Sequence, residues 1–451
     1  MKRYAPVKRT PAPAQKAETQ KAGAPKAAEA WTETLAEATA MGAQGDAVCR
    51  LEDGRVVFAP FVLPGERARL KVSGQRGELI EVLSPSPERA TPPCPHYEAC
   101  GGCALQHWAP APYLAWKQDL IAAALARAGL TAEFEAPFAP AFAASPGARR
   151  RVSLHARLGG PGQVPRLGYK ARRSWSLVDI EVCTIADPRL VAALPALRRL
   201  AAPFLEHPKS APTLHVTLTQ TGVDVDVTGI ERKSGGLSAD ARLRAAQIAA
   251  ETDLARVTLA GEIVYQARQP MVRLGPAMAA LPPGGFLQAV AAAEDAMAQT
   301  ALAAMAGAAR VADLFCGLGT FTFRLAGLAP VLAADADGRA ITALKAATGS
   351  APGIKSITAE TRDLYRRPVL AEELKRIDAV LFDPPRAGAP DQARQIAMSA
   401  VPVAVGVSCD AATFARDARI LADGGFKLEQ VRLIDQFLWS PHVELVGVFR
   451  R

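Results

Sequence analysis

Short alternating runs open the ordered part of the chain. "TLAEATA", "GRVVFAPFVL", "RARLKVSG" and "GELIEVLS" follow one another between residues 31 and 90, punctuated by Gly42, Gly45, Gly54, Gly65, Gly74 and Gly77. Several short strands with glycine turns predict a small β-barrel of the oligonucleotide-binding (OB) kind. Residues 91–285 mix cysteines and basic strands such as "RRRVSLHARL" and "TLHVTLTQTGVDVDVTG" with Ala/Leu-rich helices, an α+β pattern. From 286 to 451 apolar runs alternate with helical stretches, as in a doubly wound parallel α/β sheet. "RVADLFCGLGTFTFRLA" reads as strand, glycine turn and helix. "PVLAADADGRAI" reads as a second strand ending in acids, and "IDAVLFDPPRAG" as the fourth. "VGVSCDAATFARD" predicts a buried strand, a turn at Cys409 and a helix capped by Asp410. "FKLEQVRLIDQFLWSPHVELVGVFRR" predicts a closing strand hairpin. Residues 1–30 carry almost no large apolar side chain and are expected to be disordered.

Composition adds limits. The 451 residues are 49% hydrophobic and 22% charged, enough for several domains with their own cores. No apolar run approaches the ~20 residues of a membrane-crossing helix. The basic start lacks the apolar segment of a secretory signal, and Pro6, Pro11, Pro13 and Pro25 interrupt any amphipathic presequence helix. A cytoplasmic monomer, with no membrane association and no obligate protein partner, is expected. Net charge is +9, and residues 1–30 supply +5 of it through seven basic and two acidic residues. Ser145 to Val178 hold eight Lys/Arg and no acid, with Tyr169 and Trp175 among them. Such a run suits phosphates and stacked bases, or a solvated sheet face.

Of seven cysteines, three lie in "CPHYEACGGC" as Cys94, Cys100 and Cys103. Thiols so close in a glycine-containing loop suit a metal or an iron–sulfur cluster, with zinc as rival. Cys183, in "IEVCTIADP", is the best fourth ligand. The turn "CGLGTF" is not the dinucleotide fingerprint G-x-G-x-x-G, yet strand, turn, helix, strand and acid in register point to a class I methyltransferase.

"CPHYEACGGC", "DLFCGLGTF", "DPPRAG", "VSCDAATFARD" and "SPHVELVGVF", in this order, resemble the RNA 5-methyluridine methyltransferase family from about Trp31 to Arg451. The resemblance implies a C-terminal Rossmann-like class I domain that uses S-adenosylmethionine. It further implies a central α+β iron–sulfur domain and an OB-like barrel of the TRAM type, the layout of the ribosomal-RNA branch. Cys94, Cys100, Cys103 and Cys183 then match the ligands of a [4Fe–4S] cluster, and 23S ribosomal RNA is the expected substrate. Cys409 matches the nucleophile that adds to uracil carbon 6, and Glu444 the base that removes the carbon-5 proton. The N-terminus of the helix after Cys409 is expected to depress its pKa. Gln288, Phe315, Thr320, Asp335 and Asp383 match cofactor positions, and Asp363 a position near the adenine. Thr320 stands where asparagine is common, "QAVAAAE" lacks a frequent asparagine, and Thr184 replaces a frequent proline. Cys316 is assigned to packing and Cys49 to the barrel core. The alternatives are the same chemistry on transfer RNA, a 5-methylcytidine enzyme, and a non-catalytic iron–sulfur RNA-binding protein. The cytidine chemistry usually needs a second thiol, which "LFDPPRAG" does not offer.

Overall fold

Alternation along the first strands has a simple outcome. In Arg67–Ser73 the residues Ala68, Leu70 and Val72 point inward and their neighbours face solvent. Thr32–Met41 pairs with both Ala47–Leu51 and Arg67–Ser73, and Val56–Ala59 and Arg76–Ser84 complete a closed five-stranded barrel. Its core includes Cys49, fully buried as expected. The computed structural model describes residues 30–130, 138–159, 164–207, 209–230 and 236–451. The disorder expected for 1–30 therefore falls, except for Ala30, outside the described residues.

A second sheet has seven strands, with Arg151–Arg157 and Thr213–Thr219 near its middle. Helices Leu194–Ala201 and Ala239–Glu251 cover its apolar face. The other face carries Ser153, His155 and His215, which hydrogen-bond across the strands.

The C-terminal sheet is doubly wound. Its five parallel strands lie in the order Ile357–Thr361, Val331–Asp335, Val311–Leu314, Ala379–Phe382, Val403–Ser408. Val311–Leu314 and Ala379–Phe382 are buried at every position, as strands covered on both faces must be. Leu445–Arg450 runs antiparallel beside Val403–Ser408, and Lys427–Asp435 lies outside it, forming the expected hairpin. Two pieces from earlier in the chain join this unit. Ala139–Ala143 pairs with Lys427–Asp435 at the sheet edge. Helix Pro110–Arg127 buries Ile121 and Leu125 against the same core. Apolar patterning predicts elements but not which sheet an isolated strand joins, so these attachments had no signal of their own.

Candidate active site and cysteine cavity

The parallel strands all end on one side, and the side chains just past those ends meet there. Phe315 follows Val311–Leu314, Asp335 ends Val331–Asp335, Asp383 follows Ala379–Phe382 and Cys409 follows Val403–Ser408. The antiparallel register pairs Ser408 with Leu445, which sets Glu444 beside Cys409. Together with Gln288, Thr320 and Gln436 these residues line one cavity of about 710 Å³. Asp363 does not line it. Its carboxylate accepts from the backbone N–H groups of Tyr365 (3.0 Å) and Arg366 (3.3 Å), and the cavity wall is made by Leu364 and Tyr365 instead.

The glycine turn is built for close approach. Phe315 takes a left-handed φ of 63°, which costs a non-glycine residue strain, and Gly319 takes 98°. A Cβ on Gly319 would stand 2.7 Å from the Phe323 ring, so only glycine fits. Gly317 N–H donates to Asp335 Oδ2 at 2.9 Å, and Asp337 N–H donates to Oδ1 at 2.8 Å. Asp335 is thereby fixed at the mouth of the turn. Cys316 is buried in the core, as assigned.

Buried carboxyls dominate the electrostatics. Burial pushes Asp383 up to about 7, with the charge of Asp335 adding to it. Burial also pushes Asp313, behind the turn, up to about 7, and Glu444 up to about 8. Once ionised, these carboxyls suit a cationic ligand, and a sulfonium is one. Arg149, Arg151 and Arg386 also line the cavity, which suits a polyanion.

The expected activation of Cys409 by its helix is corrected. Its thiol is pushed up to about 11, first by burial and then by Glu444 and Asp383. The N-terminus of Ala411–Asp423 is already occupied, because Asp410 Oδ1 accepts from Ala412 and Thr413 N–H at 3.0 Å each. A free helix terminus is worth only about 0.3–1 kcal/mol to a nearby anion, too little to offset burial and two carboxylates.

Gln436 was missed. It is buried and donates from Nε2 to Glu444 Oε2 and to Gln288 Oε1, both at 2.8 Å. No spacing rule singles out one glutamine inside "DQFLWSPHVEL"; only the strand pairing brings it to the base. The basic run is also divided. Arg150 pairs with Glu294, and Arg172 and Arg173 both pair with Asp46 of the barrel. Arg149 and Arg151 face the cavity, Lys170 stacks on Trp175 at 4.0 Å, and Arg151 lies over Phe286 at 5.5 Å.

Cys94, Cys100, Cys103 and Cys183 line a second cavity of about 290 Å³, which shares Arg149, Val152, Ser153 and Phe437 with the first. Burial raises the Cys100 thiol and pushes Cys103 up to about 12. A Cβ on Gly101 would stand 2.6 Å from Lys170 O, so the loop lies tight against its neighbour. Among the described residues, no three His, Cys, Asp or Glu stand close enough to hold a single metal ion.

Residues 279–451 match the family described as tRNA (uracil-5-)-methyltransferase. An uncharacterized RNA methyltransferase of Caulobacter vibrioides is 64% identical over 91% of this chain and 98% of its own. The chain belongs to the uracil-5-methyltransferase family. It is therefore an S-adenosylmethionine-dependent RNA methyltransferase acting on uracil carbon 5. Within the family it is also similar to the 23S rRNA (uracil(1939)-C(5))-methyltransferase RlmD of Chromohalobacter salexigens, at 34% identity over 90% of this chain and 87% of that one. A tRNA (uracil-54, C5)-methyltransferase of Pyrococcus abyssi, solved with S-adenosyl-L-homocysteine, shares the fold at a TM-score of 0.68. It is 20% identical and covers 92% of this chain and 99% of its own. No helix among the described residues is long and apolar enough to cross a membrane.

Proposed function

We propose that this enzyme methylates a uridine of 23S ribosomal RNA through a covalent bond between Cys409 and uracil carbon 6. The observation that carries the reading is the pairing of Cys409 and Glu444 on adjacent strand ends in the cavity that holds Gln288, Phe315, Thr320, Asp335 and Asp383. The Cys409 thiolate adds to carbon 6, and the ring electrons move toward carbon 5 and its neighbouring carbonyl oxygen. S-adenosylmethionine, when bound, supplies the methyl group that carbon 5 then accepts. Glu444 takes the proton from carbon 5. That electron pair re-forms the ring double bond, and the sulfur leaves carbon 6 with its own pair. Asp335 and the glycine turn would hold the cofactor, and Asp363, off the cavity wall, would act only by shaping the turn at Tyr365. The target base must leave its stack to enter so enclosed a site.

Four thiols lining one cavity, three of them in a single glycine-containing loop, are the donors a [4Fe–4S] cluster takes, and zinc is the rival. The barrel, read as a TRAM module, and the Arg149, Arg151 and Lys170 surface would carry phosphate contacts. The choice of ribosomal RNA is supported by the named activity of the Chromohalobacter relative.

The decisive experiment maps 5-methyluridine in RNA from cells with and without the protein, and traps the adduct in vitro. Cys409→Ala should form no protein–RNA bond, and Glu444→Gln should accumulate a methylated one that survives denaturing electrophoresis. An adduct in the Cys409→Ala protein moves the nucleophile elsewhere. A missing modification in transfer RNA instead overturns the ribosomal assignment.

A further inference from the structure

Three buried polar side chains around the base form a directed chain, and its direction can be read from one donor. Ala289 N–H donates to Gln436 Oε1 at 3.2 Å. A backbone N–H cannot accept, so the Gln436 oxygen must face it and the amide nitrogen must face the other way. Both remaining hydrogens are then used, one on Glu444 Oε2 and one on Gln288 Oε1, at 2.8 Å each. Gln288 in turn points its own Nε2 at Asp383 Oδ2, 3.4 Å away. Glu444, Gln436 and Gln288 are all nearly inaccessible to solvent, so no water replaces these bonds cheaply.

We propose that Gln436 is the positioning residue for proton removal: its N–H holds Glu444 as an aimed carboxylate and ties it to Gln288 in the cofactor wall. This rests on the function proposed above. A donor-only partner favours the ionised form of a carboxyl, whereas a carbonyl would favour the protonated one. Here that preference opposes the burial and the Asp383 charge that push Glu444 up to about 8. The ionisable groups facing Glu444 are Asp383, at the end of Ala379–Phe382, and Cys409, at the end of Val403–Ser408. Arg149, Arg151 and Arg386 line the same cavity, and Arg386 lowers the neighbouring Cys409 thiol. Gln436 is therefore the neighbour that supplies hydrogens to the base. In the release step Glu444 accepts the carbon-5 proton, the carbon-5 electrons form the ring double bond and Cys409 departs as thiolate. Gln436 stays neutral throughout and moves no proton.

The test uses full-length protein and ribosomal RNA from a strain lacking it, tritiated at carbon 5 of uridine. Tritium released to water reads proton removal, and gel-stable protein–RNA reads adduct formation. Gln436→Met keeps the volume and loses both hydrogens. Its tritium release should slow about 10- to 100-fold, the scale of a lost hydrogen bond to a charged group. Adduct should accumulate, and the pH midpoint of release should move up. Gln436→Glu is nearly isosteric and puts a second carboxyl beside the base, so its midpoint should also move up. It keeps the test usable if the Met variant does not fold, which melting and S-adenosylhomocysteine binding report. A folded variant with the wild-type release rate and midpoint overturns the assignment of Gln436 alone. Wild-type protein that binds this RNA and releases no tritium overturns the proposed reaction itself.

Discussion

At the residue scale the site is a competition between burial and charge. Cys409 and Glu444 do opposite jobs, yet burial favours the protonated form of both, up to about 11 and about 8, in Glu444 against the opposing pull of the Gln436 hydrogen bond. Each must lose its proton to act. Turnover should therefore rise as pH climbs through about 8, and continue rising toward about 11 where formation of the thiolate limits the rate. A flat profile of single-turnover methyl transfer toward about 11 would contradict the Cys409 assignment, and a flat profile of carbon-5 proton release through about 8 the Glu444 one. Stability should run the other way. Asp313, Asp383 and Glu444 hold protons more tightly folded than unfolded, so their contribution is full below the ordinary carboxylate range. It is lost as pH rises through about 7 for the two aspartates and about 8 for Glu444. Melting temperature should fall across that interval even as activity grows.

At the element scale the decisive piece is the loop between Lys427–Asp435 and Leu445–Arg450, because it carries Gln436 and Glu444. It closes with a few bonds of its own, among them Ser440 N–H to Phe437 O at 3.0 Å, and is also held from outside. Lys117, fully buried on helix Pro110–Arg127, spends its ammonium on Asp435 Oδ1 (2.7 Å) and on the carbonyls of Phe437 (3.3 Å) and His442 (2.6 Å). Ala104 and Leu105 N–H groups both donate to Trp439 O, at 2.8 and 3.1 Å. Trp439 itself takes a left-handed φ of 58°. Lys117→Met should leave the Asp435 carboxylate buried without its cation and cost about 3–5 kcal/mol. Denaturant unfolding should read that loss. Methyl transfer should fall with it, because the loop that aims Glu444 loses its anchor. Unchanged stability would mean that the loop is held by the Trp439 bonds alone.

At the scale of the molecule the cysteine loop is a junction. Cys100 bridges to Ala171, and Gly101 N–H donates to Lys170 O at 2.9 Å, which joins the loop to the seven-stranded sheet. Two residues on, Arg172 and Arg173 hold Asp46 of the barrel. The same loop reaches the catalytic domain through Trp439 O. On the cluster proposed above, Cys100→Ser should remove iron and acid-labile sulfide from anaerobically prepared protein, and loosening of the junction it belongs to should lower the melting temperature. The Cys409 thiol, in the neighbouring cavity, should remain alkylatable. Stoichiometric zinc without sulfide in the wild-type protein would sink the cluster assignment.

Much of this was legible in the amino-acid sequence. Strict alternation has one low-energy solution, a strand with one buried face, so barrel strands such as Arg67–Ser73 could be read directly. The strand-turn-helix around Gly317 and Gly319, and the acid at Asp335, follow from local rules of chain geometry. Cys409 and Glu444 stood out because their surrounding motifs resemble a known chemistry. The tertiary structure alone decided what depends on neighbours distant in the chain. It took Asp363 off the cavity wall and spent Arg150, Arg172 and Arg173 on internal carboxylates. It raised Cys409 rather than lowering it, because burial and two carboxyls from other strands outweigh a helix end already capped by Asp410. It also brought Gln436 to the base. Local sequence sets backbone preference and pattern, whereas protonation and pairing are set by whatever the fold packs alongside.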